Sequence, residues 1–263
     1  MFTRKKEICK SMGIVAMLTL GTSSTLQADS LTQTQLHATI GIVTNFILSA
    51  DTTSISMTHN GVIYGSVTSP HTGRVWLDRN LGALQVCTSF DDEDCYGDYY
   101  QWGRNADGHE KSLSNTTATL TNNPTTVGHG DFITSTSIPY DWTLVDGFGI
   151  TRTSNWFGVN GASVCPLDFR VPSIAELNAE LFDMGSAEIH NRLDAFNSFL
   201  KLPSAGTRSG LSGSFGSLHM WGYLWSRSVS GANAYSLSYN SINASVNGFD
   251  NRIWGQAVRC IKK

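Results

Sequence analysis

The order of local patterns along the chain constrains its fold more than any single motif does. Between residues 57 and 77, short apolar stretches surround two turn signals, Asn60-Gly61 and the stretch 69–73, which predicts a β-meander. Helical spacing is confined to the middle of the chain, and alternation of apolar and polar residues returns after Gly222. Strands, then helices, then strands, without βαβ alternation, indicate an α+β fold with a mainly antiparallel sheet.

The middle of the chain predicts two short helices. Ser173 and Glu176 form a capping box, and the first helix is expected to run from there to about Met184, before Gly185. A second apolar series at 189–200 predicts another helix, which ends before Pro203. The polar stretch 112–155 is expected to form long loops held by aromatic side chains. These aromatic residues are Trp142, Phe148, Trp156 and Phe157.

Two alternating series near the end of the chain predict a hairpin. Residues 235–239 and 242–246 each alternate apolar with polar side chains, with a turn near 240–241. If the apolar series points inward, the polar residues share a solvent-exposed face. They are Ser236, Ser238, Asn240, Asn243, Ser245 and Asn247. A last strand is expected at about 257–261.

The first 28 residues have the pattern of a secretory signal peptide. A basic start at 4–6 precedes an apolar run at 13–20 and a cleavage site at 26–28. The apolar run is shorter than the about 18 residues that a membrane-spanning helix needs, so no transmembrane segment is expected after cleavage. The sequence therefore predicts a mature chain from Asp29 that is secreted, periplasmic or on the cell surface. Residues 29–56 are expected to form a leader or an added strand.

Charge and cysteine content narrow the possible partners. Without residues 1–28 the chain has 14 Lys and Arg against 20 Asp and Glu, a net charge of −6, which argues against nucleic acid as a partner. An even number of cysteines remains, and in an exported chain this predicts two disulfides. They are Cys87, Cys95, Cys165 and Cys260. Zinc sites prefer CxxC-like pairs, which these spacings do not provide.

Motifs for catalysis or metal binding are lacking. The seven histidines show no HExxH pattern, and no GxSxG motif is present. The acidic run 91–94, followed by Asp98, could offer oxygen ligands to calcium, but it does not have the spacing of an EF-hand loop. A solvated acidic loop is the simpler interpretation. We therefore expect no catalytic centre, no cofactor and no bound metal, and hence a protein that is not an enzyme.

A series of short motifs in a fixed order resembles one family. The front motifs are GVIY at 61–64, Trp76 with NL at 80–81, and YGDYYQW at 96–102. The back motifs are CP at 165–166, RVPS at 170–173, LPSAGTR at 202–208, WS at 225–226 and VRC at 258–260. Over roughly residues 57–263 the chain resembles the FISUMP family, the Fibrobacter succinogenes major paralogous domain. The resemblance implies an exported bacterial protein, with no established reaction.

The resemblance also implies a fold similar to C-type lectin-like domains. In such a fold the two ends of the domain pair in one sheet, and a long loop region carries binding. A disulfide between Cys165 and Cys260 would tie the capped helix to the last strand, as the long-range disulfide of lectin-like folds does. Cys87 and Cys95 are not part of the family pattern and are expected to form a local extra link.

The stretch 230–251 is the strongest candidate for binding, because Asn, Ser and Tyr make up 12 of its 22 residues. Antibody loops use the same residue types for adaptable hydrogen bonds and rigid aromatic contacts. The sequence predicts a ligand-binding face for a glycan or protein at the cell surface. Its residues are Trp225, Arg227, Asn233, Tyr235, Tyr239, Asn240, Asn243, Asn247, Phe249 and Asp250.

Three alternatives stay open from the sequence. The polar stretch could be an ordinary sheet face in a structural or adhesion module. It could also be a stretch diversified by a retroelement, because lectin-like proteins of that kind vary adenine-rich codons here and such codons often encode Asn, Ser and Tyr. An enzyme related to formylglycine-generating proteins would need Cys165 and Cys260 as a reactive pair, whereas the fold needs them for a disulfide. The oligomeric state is left open.

Overall fold

The computed structural model describes residues 56–158, 164–182 and 188–263. The predicted signal peptide at 1–28, all but the last residue of the predicted leader at 29–56, and the predicted helix end at 184–185 lie outside these residues. Ser54–Lys263 forms one compact unit. Within the described residues, no helix has the length and apolar content required to cross a bilayer.

The described residues form short strands, three α-helices and long loops. The strands are β1 (Met57–His59), β2 (Val62–Tyr64), β3 (Ser66–Thr68), β4 (Val75–Leu77), β5 (Tyr100–Gln101), β6 (Thr116–Thr117), β7 (Phe132–Ile133), β8 (Phe169–Arg170), β9 (Thr207–Arg208), β10 (Phe215–Gly216), β11 (Gly222–Ser230), β12 (Asn233–Tyr239), β13 (Ala244–Asn251), β14 (Gly255–Gln256) and β15 (Ile261–Lys262). The helices are α1 (Ile150–Phe157), α2 (Ile174–Leu181) and α3 (Arg192–Asn197). The strands pair mainly antiparallel, β6 with β7 being parallel. The predicted α+β class with a mainly antiparallel sheet is confirmed.

The beginning and the end of the described unit meet in one four-stranded sheet, ordered β3-β4-β15-β8. Trp76 of β4 stands opposite Ile261 of β15. The predicted meander is present, since β1 pairs with β2 around Asn60-Gly61 and β3 pairs with β4. Asn60 and Gly61 both have positive φ, as a two-residue hairpin turn of this type requires.

A three-stranded antiparallel sheet, β11-β12-β13, follows, with β12 at its centre. The hairpin turn predicted near 240–241 is confirmed. The last strand, predicted at about 257–261, lies at Ile261–Lys262 and is shorter than expected, and Gly255–Gln256 forms the separate strand β14. Between them, the carbonyl oxygens of Val258 and Cys260 accept from the N–H groups of Leu81 and Leu77, and the buried Arg259 guanidinium donates to the carbonyl oxygens of Leu77 and Leu200.

The capping box predicted at the start of the first helix is present. Ser173 Oγ accepts from the Glu176 N–H at 3.2 Å, and a Glu176 carboxylate oxygen accepts from the Ser173 N–H at 2.8 Å. The second predicted helix is shorter than the apolar series at 189–200. It begins after Asn191, whose side chain accepts from the N–H groups of Leu193 and Asp194. It ends at Ser198, where the backbone becomes extended.

Helix α1 lies in a region that the sequence predicts as loop. Its first turn is capped by the Asp146 carboxylate, which accepts from the N–H groups of Thr151 and Arg152. Trp142 and Trp156 are fully buried, as the prediction of aromatic anchors requires. Phe148 is 83% exposed, so it does not hold these loops. Phe157 is also partly exposed.

Both predicted disulfides are present. Cys165 is bonded to Cys260 across a sequence separation of 95, and Cys87 is bonded to Cys95 across a separation of 8. The first connects the segment before α2 to the segment before β15. It therefore fixes the helix side of the fold to the sheet in which the two ends meet.

A buried ion cluster holds the loops beside α1. The Arg152 guanidinium donates to the two carboxylate oxygens of Asp141 at 2.6 and 2.8 Å. Arg252 lies 3.7 Å from the same carboxylate, and both guanidinium groups lie near the Trp102 ring, at 5.3 and 4.8 Å from its centroid. Arg152 and Arg252 are fully buried. One carboxylate, aided by Asp146, thus compensates two cations in the protein interior.

Candidate functional site

A cavity of about 460 Å³ lies between the β9–β10 hairpin and the three-stranded sheet. This volume is in the range of small-molecule sites. Thr207 and four serines line one side, and residues of β11, β13 and the segment 254–256 line the other. The second group is Tyr223, Asp250, Trp254 and Gln256. The lining thus combines aromatic rings with hydrogen-bonding groups.

Two polar side chains meet in this cavity. Asp250 Oδ2 accepts from Gln256 Nε2 at 2.7 Å and from Ser236 Oγ at 2.8 Å. Gln256 is 1% exposed, and its Oε1 accepts no hydrogen bond from the described residues. A buried acceptor without a donor costs free energy, and native structures seldom retain one without a reason. The Gln256 amide oxygen is therefore an acceptor in this lining whose hydrogen-bonding capacity is not used by the described residues.

The aromatic side of the cavity is ordered by stacking. The Tyr223 ring lies parallel to the Trp221 ring, with an interplanar angle of 12° and 5.8 Å between centroids. Burial and then the nearby Asp250 carboxylate raise the pKa of Tyr223. Its phenol therefore stays protonated at neutral pH and can donate a hydrogen bond. Trp254 and the exposed Phe215 add two further rings.

The serine-rich segment 209–214 forms the tip of the β9–β10 hairpin. Arg208 fixes its base by donating to Gly213 O at 3.0 Å and to Ser114 O at 2.7 Å. Gly210 packs so closely on Ile253 that a Cβ atom would lie 2.2 Å from its side chain. A glycine is therefore required there. The Ser209 and Ser212 hydroxyl oxygens accept from backbone N–H groups of the same tip, so the hairpin lines the cavity from a fixed backbone.

Three residues of the predicted binding face are buried and cannot contact a ligand at the surface. Trp225 is 0% exposed and donates from its indole nitrogen to Tyr100 O. Tyr239 is 2% exposed and donates to Pro203 O. Asn240 is 8% exposed, and its side chain accepts from the N–H groups of the turn that follows. The prediction that these three residues belong to an exposed binding face is therefore wrong.

The other predicted residues are scattered. Asn243, Asn247 and Phe249 are exposed, whereas Arg227, Asn233 and Tyr235 are half-buried. Asp250 lines the cavity, and the other nine are not among the described residues that line it. Ser236, predicted on the solvent face, is buried. Strict alternation fails because the register of β12 with β13 shifts between Ser236 and Ser238, and the Ser236 hydroxyl donates to the Asp250 carboxylate.

Sequence reasoning missed Tyr223, Trp254 and Gln256. A usable signal was present, since Trp221 and Tyr223 are two residues apart and so lie on one face of an extended segment. Trp254 and Gln256 have the same spacing around Gly255. Such pairs predict a shared face, but they do not predict that the two faces enclose one cavity.

Asp107, His109 and Glu110 form the one group of three potential metal ligands among the described residues. Both nitrogens of the buried His109 ring are already used, because Nδ1 lies 2.7 Å from Asp107 Oδ1 and Nε2 accepts from the Gln101 N–H at 3.1 Å. Asp107 also accepts from Arg104 Nε at 2.9 Å. The three side chains therefore take part in a hydrogen-bond network within the protein. The expectation of no metal stays a prediction.

His109 gives the fold a pH dependence. Burial lowers its pKa to about 4, although the hydrogen bond with Asp107 acts in the opposite direction. An unfolded histidine has a pKa of about 6.5, so between these values the unfolded state binds more protons. Stability should therefore be present above about pH 6.5 and fall by about 3 kcal/mol as the pH drops to 4. Urea unfolding at a series of pH values measures this loss.

The matched variant is His109→Gln, which keeps a polar side chain but has no titrating group. Its unfolding free energy should change less between pH 6.5 and 4 than that of the native protein, whatever its stability at pH 7. Parallel pH profiles for the two proteins would contradict the assignment to His109.

The acidic run 91–94 uses its carboxylates locally. Asp92 Oδ2 accepts from the Thr88 N–H, from Thr88 Oγ1 and from Gln85 Nε2, at 2.8 to 3.0 Å. Asp91 accepts from Ser89 Oγ at 2.6 Å. The disulfide between Cys87 and Cys95 closes the same loop. These contacts agree with a solvated acidic loop rather than with a prepared calcium site.

Comparisons of the chain with family models, with curated proteins and with solved structures find no match. The FISUMP resemblance and the lectin-like fold therefore stay predictions. The function has to be inferred from the chemistry of the cavity.

Proposed function

We propose that the chain is an exported bacterial binding protein of the FISUMP family, with a C-type lectin-like fold, and that its cavity binds a carbohydrate. The pairing of β4 with β15 and the long-range disulfide are the two features expected of that fold, and they support this proposal. Disulfides persist in oxidising compartments, which supports a secreted, periplasmic or surface location.

The observation that carries the proposal is the pair of acceptors, Asp250 and Gln256, beside the rings of Tyr223 and Trp254. A sugar is complementary to both parts of this lining. Its ring has an apolar face that can stack on aromatic rings, and its hydroxyl groups can donate to the acceptors as well as accept. The Asp250 carboxylate repels anions. The ligand is therefore a neutral or amino sugar rather than a uronic acid.

Binding rather than hydrolysis is proposed for the same cavity. Most glycosidases place a pair of carboxyl groups about 5 to 10 Å apart across the scissile bond. Among the described residues that line this cavity, Asp250 supplies the one carboxylate. That carboxylate is held by Ser236 and Gln256, as a binding group would be.

A glycan array with the purified, oxidised protein tests the proposal, followed by calorimetric titration of the best neutral or amino sugar. Asp250→Asn and Trp254→Ala should each weaken binding at least tenfold, because a charged acceptor or a stacking ring is lost. Asn247→Ala is the matched control, since Asn247 is exposed on the same strand as Asp250 but does not line the cavity. Circular dichroism confirms that each variant is folded.

Two results would contradict the carbohydrate proposal. One is preferential binding of acidic glycans, which the carboxylate should repel. The other is an empty array from folded protein, which would favour a protein ligand or the structural and adhesion module. Tyr239→Ala is unsuitable as a test, because removing a buried ring would destabilise the fold whether or not a ligand binds.

A further inference from the structure

A second cavity, of about 330 Å³, lies among the β3–β4 turn, the end of α2 and the helix α3. It shares no described lining residue with the carbohydrate cavity. Three carboxylates line it, those of Glu180, Glu188 and Asp194, together with the rings of His71 and Phe199. Its character is therefore acidic and partly aromatic.

Glu180 shows that this cavity is more than a group of surface charges. The residue is 1% exposed. Its Oε1 accepts from Thr72 Oγ1 and, at 3.4 Å, from Trp76 Nε1, whereas Oε2 has no partner among the described residues. A buried carboxylate oxygen without a donor is costly, because desolvation is not compensated. A cationic donor entering the cavity would remove that cost.

The spacing of the carboxylates argues against a single metal ion. Oxygen ligands of calcium lie 2.3–2.6 Å from the ion, so they lie within about 5 Å of one another. Among the described residues, the one group of three acidic or histidine side chains with ligand atoms within 4.8 Å is Asp107, His109 and Glu110. The carboxylates of this second cavity are spread more widely. They fit a cation that is itself extended.

We propose that this cavity binds a guanidinium or alkylammonium group. A guanidinium has five N–H donors in one plane and can reach separate carboxylates, and aromatic faces attract such cations. The His71 and Phe199 rings meet edge to face, with 6.4 Å between centroids, and provide such a wall. The protein's own Arg74 lies 3.9 Å from Glu180 Oε1 and is 43% exposed, so it approaches the carboxylate without occupying Oε2.

Calorimetric titration of the purified, oxidised protein with agmatine tests the proposal, which does not depend on carbohydrate binding. One equivalent should bind, and Glu180→Gln and Glu188→Gln should each weaken the affinity at least tenfold, since a charge-assisted hydrogen bond is lost. Glu93→Gln removes the same charge from an exposed position in the acidic loop and should leave the affinity unchanged. Glu188 is half-buried, so the Glu188→Gln variant still tests the proposal if Glu180→Gln fails to fold.

A parallel titration with the peptide acetyl-Gly-Arg-Gly-amide identifies the source of the cation. Tighter binding of the peptide than of agmatine assigns the cavity to an arginine side chain of a partner, and the reverse assigns it to a free amine; both uphold the proposal. Absence of binding by either probe would overturn it. The proposal would also be overturned if calcium ions bound, lost affinity to the same extent in the Glu188→Gln variant, and prevented agmatine from binding.

Discussion

Replacing Cys165 and Cys260 together with alanine is expected to lower the free energy of unfolding by about 4 to 5 kcal/mol. The disulfide closes a loop of 95 residues, and its removal lets the unfolded chain gain the corresponding conformational entropy. A loss of this size is a large share of the stability of a domain. Urea unfolding followed by tryptophan fluorescence measures it.

The second disulfide is the control for this prediction. The Cys87–Cys95 loop spans 8 residues, and the same chain-entropy relation gives about 2.5 kcal/mol for it. The long-range variant should therefore be the less stable of the two. Equal losses would show that loop length does not determine the stabilisation in this fold.

Asp141→Ala is expected to lower the free energy of unfolding by about 3 to 5 kcal/mol. The substitution leaves the buried guanidinium groups of Arg152 and Arg252 with too little negative charge beside them. Removing one partner of a buried ion pair is costly because the other charge remains desolvated. The measurement is again urea unfolding, at neutral pH.

Asp141→Asn and Glu93→Gln are its controls. The asparagine keeps an acceptor for Arg152 and should cost less than the alanine. Glu93 is exposed beside His219, and its replacement should produce no measurable change, as is usual for surface pairs. If Asp141→Ala were as stable as the native protein, Asp146 alone would suffice to compensate both cations.

The features predicted correctly from the sequence are those fixed by local chemistry. The Asn60-Gly61 turn, the capping box of Ser173 and Glu176 and the C-terminal hairpin each depend on residues a few positions apart. The count of cysteines predicted two disulfides. The pairing of Cys165 with Cys260 followed from the family resemblance, whereas Cys87 and Cys95 were expected to form a local link outside the family pattern, and both disulfides are present. The fold class followed from the order of these elements.

The candidate site could not be predicted in the same way, because its parts meet only in the tertiary structure. Of the stretch 230–251, Asp250 alone is among the described residues that line the cavity, and the other lining residues lie on or beside the β9–β10 hairpin, on β11 and in the segment 254–256. The burial of Tyr239 depends on Gly222 in the neighbouring strand, which has no side chain and so leaves room for the ring, and a contact between residues so far apart is not visible in the sequence. Helix α1 was missed because its cap, Asp146, precedes the helix by four residues.

The cavity proposed to bind a carbohydrate divides into two parts that differ in how freely they can change during evolution. Ser212 and Ser214 are exposed on the hairpin rim, so replacing their side chains should leave the stability almost unaffected. Gln256 and Ser236 are buried and hydrogen-bonded to Asp250, so their replacement also disturbs the fold. Substitutions at the rim are therefore expected to change the ligand preference of the proposed site while the buried acceptors beneath it stay in place.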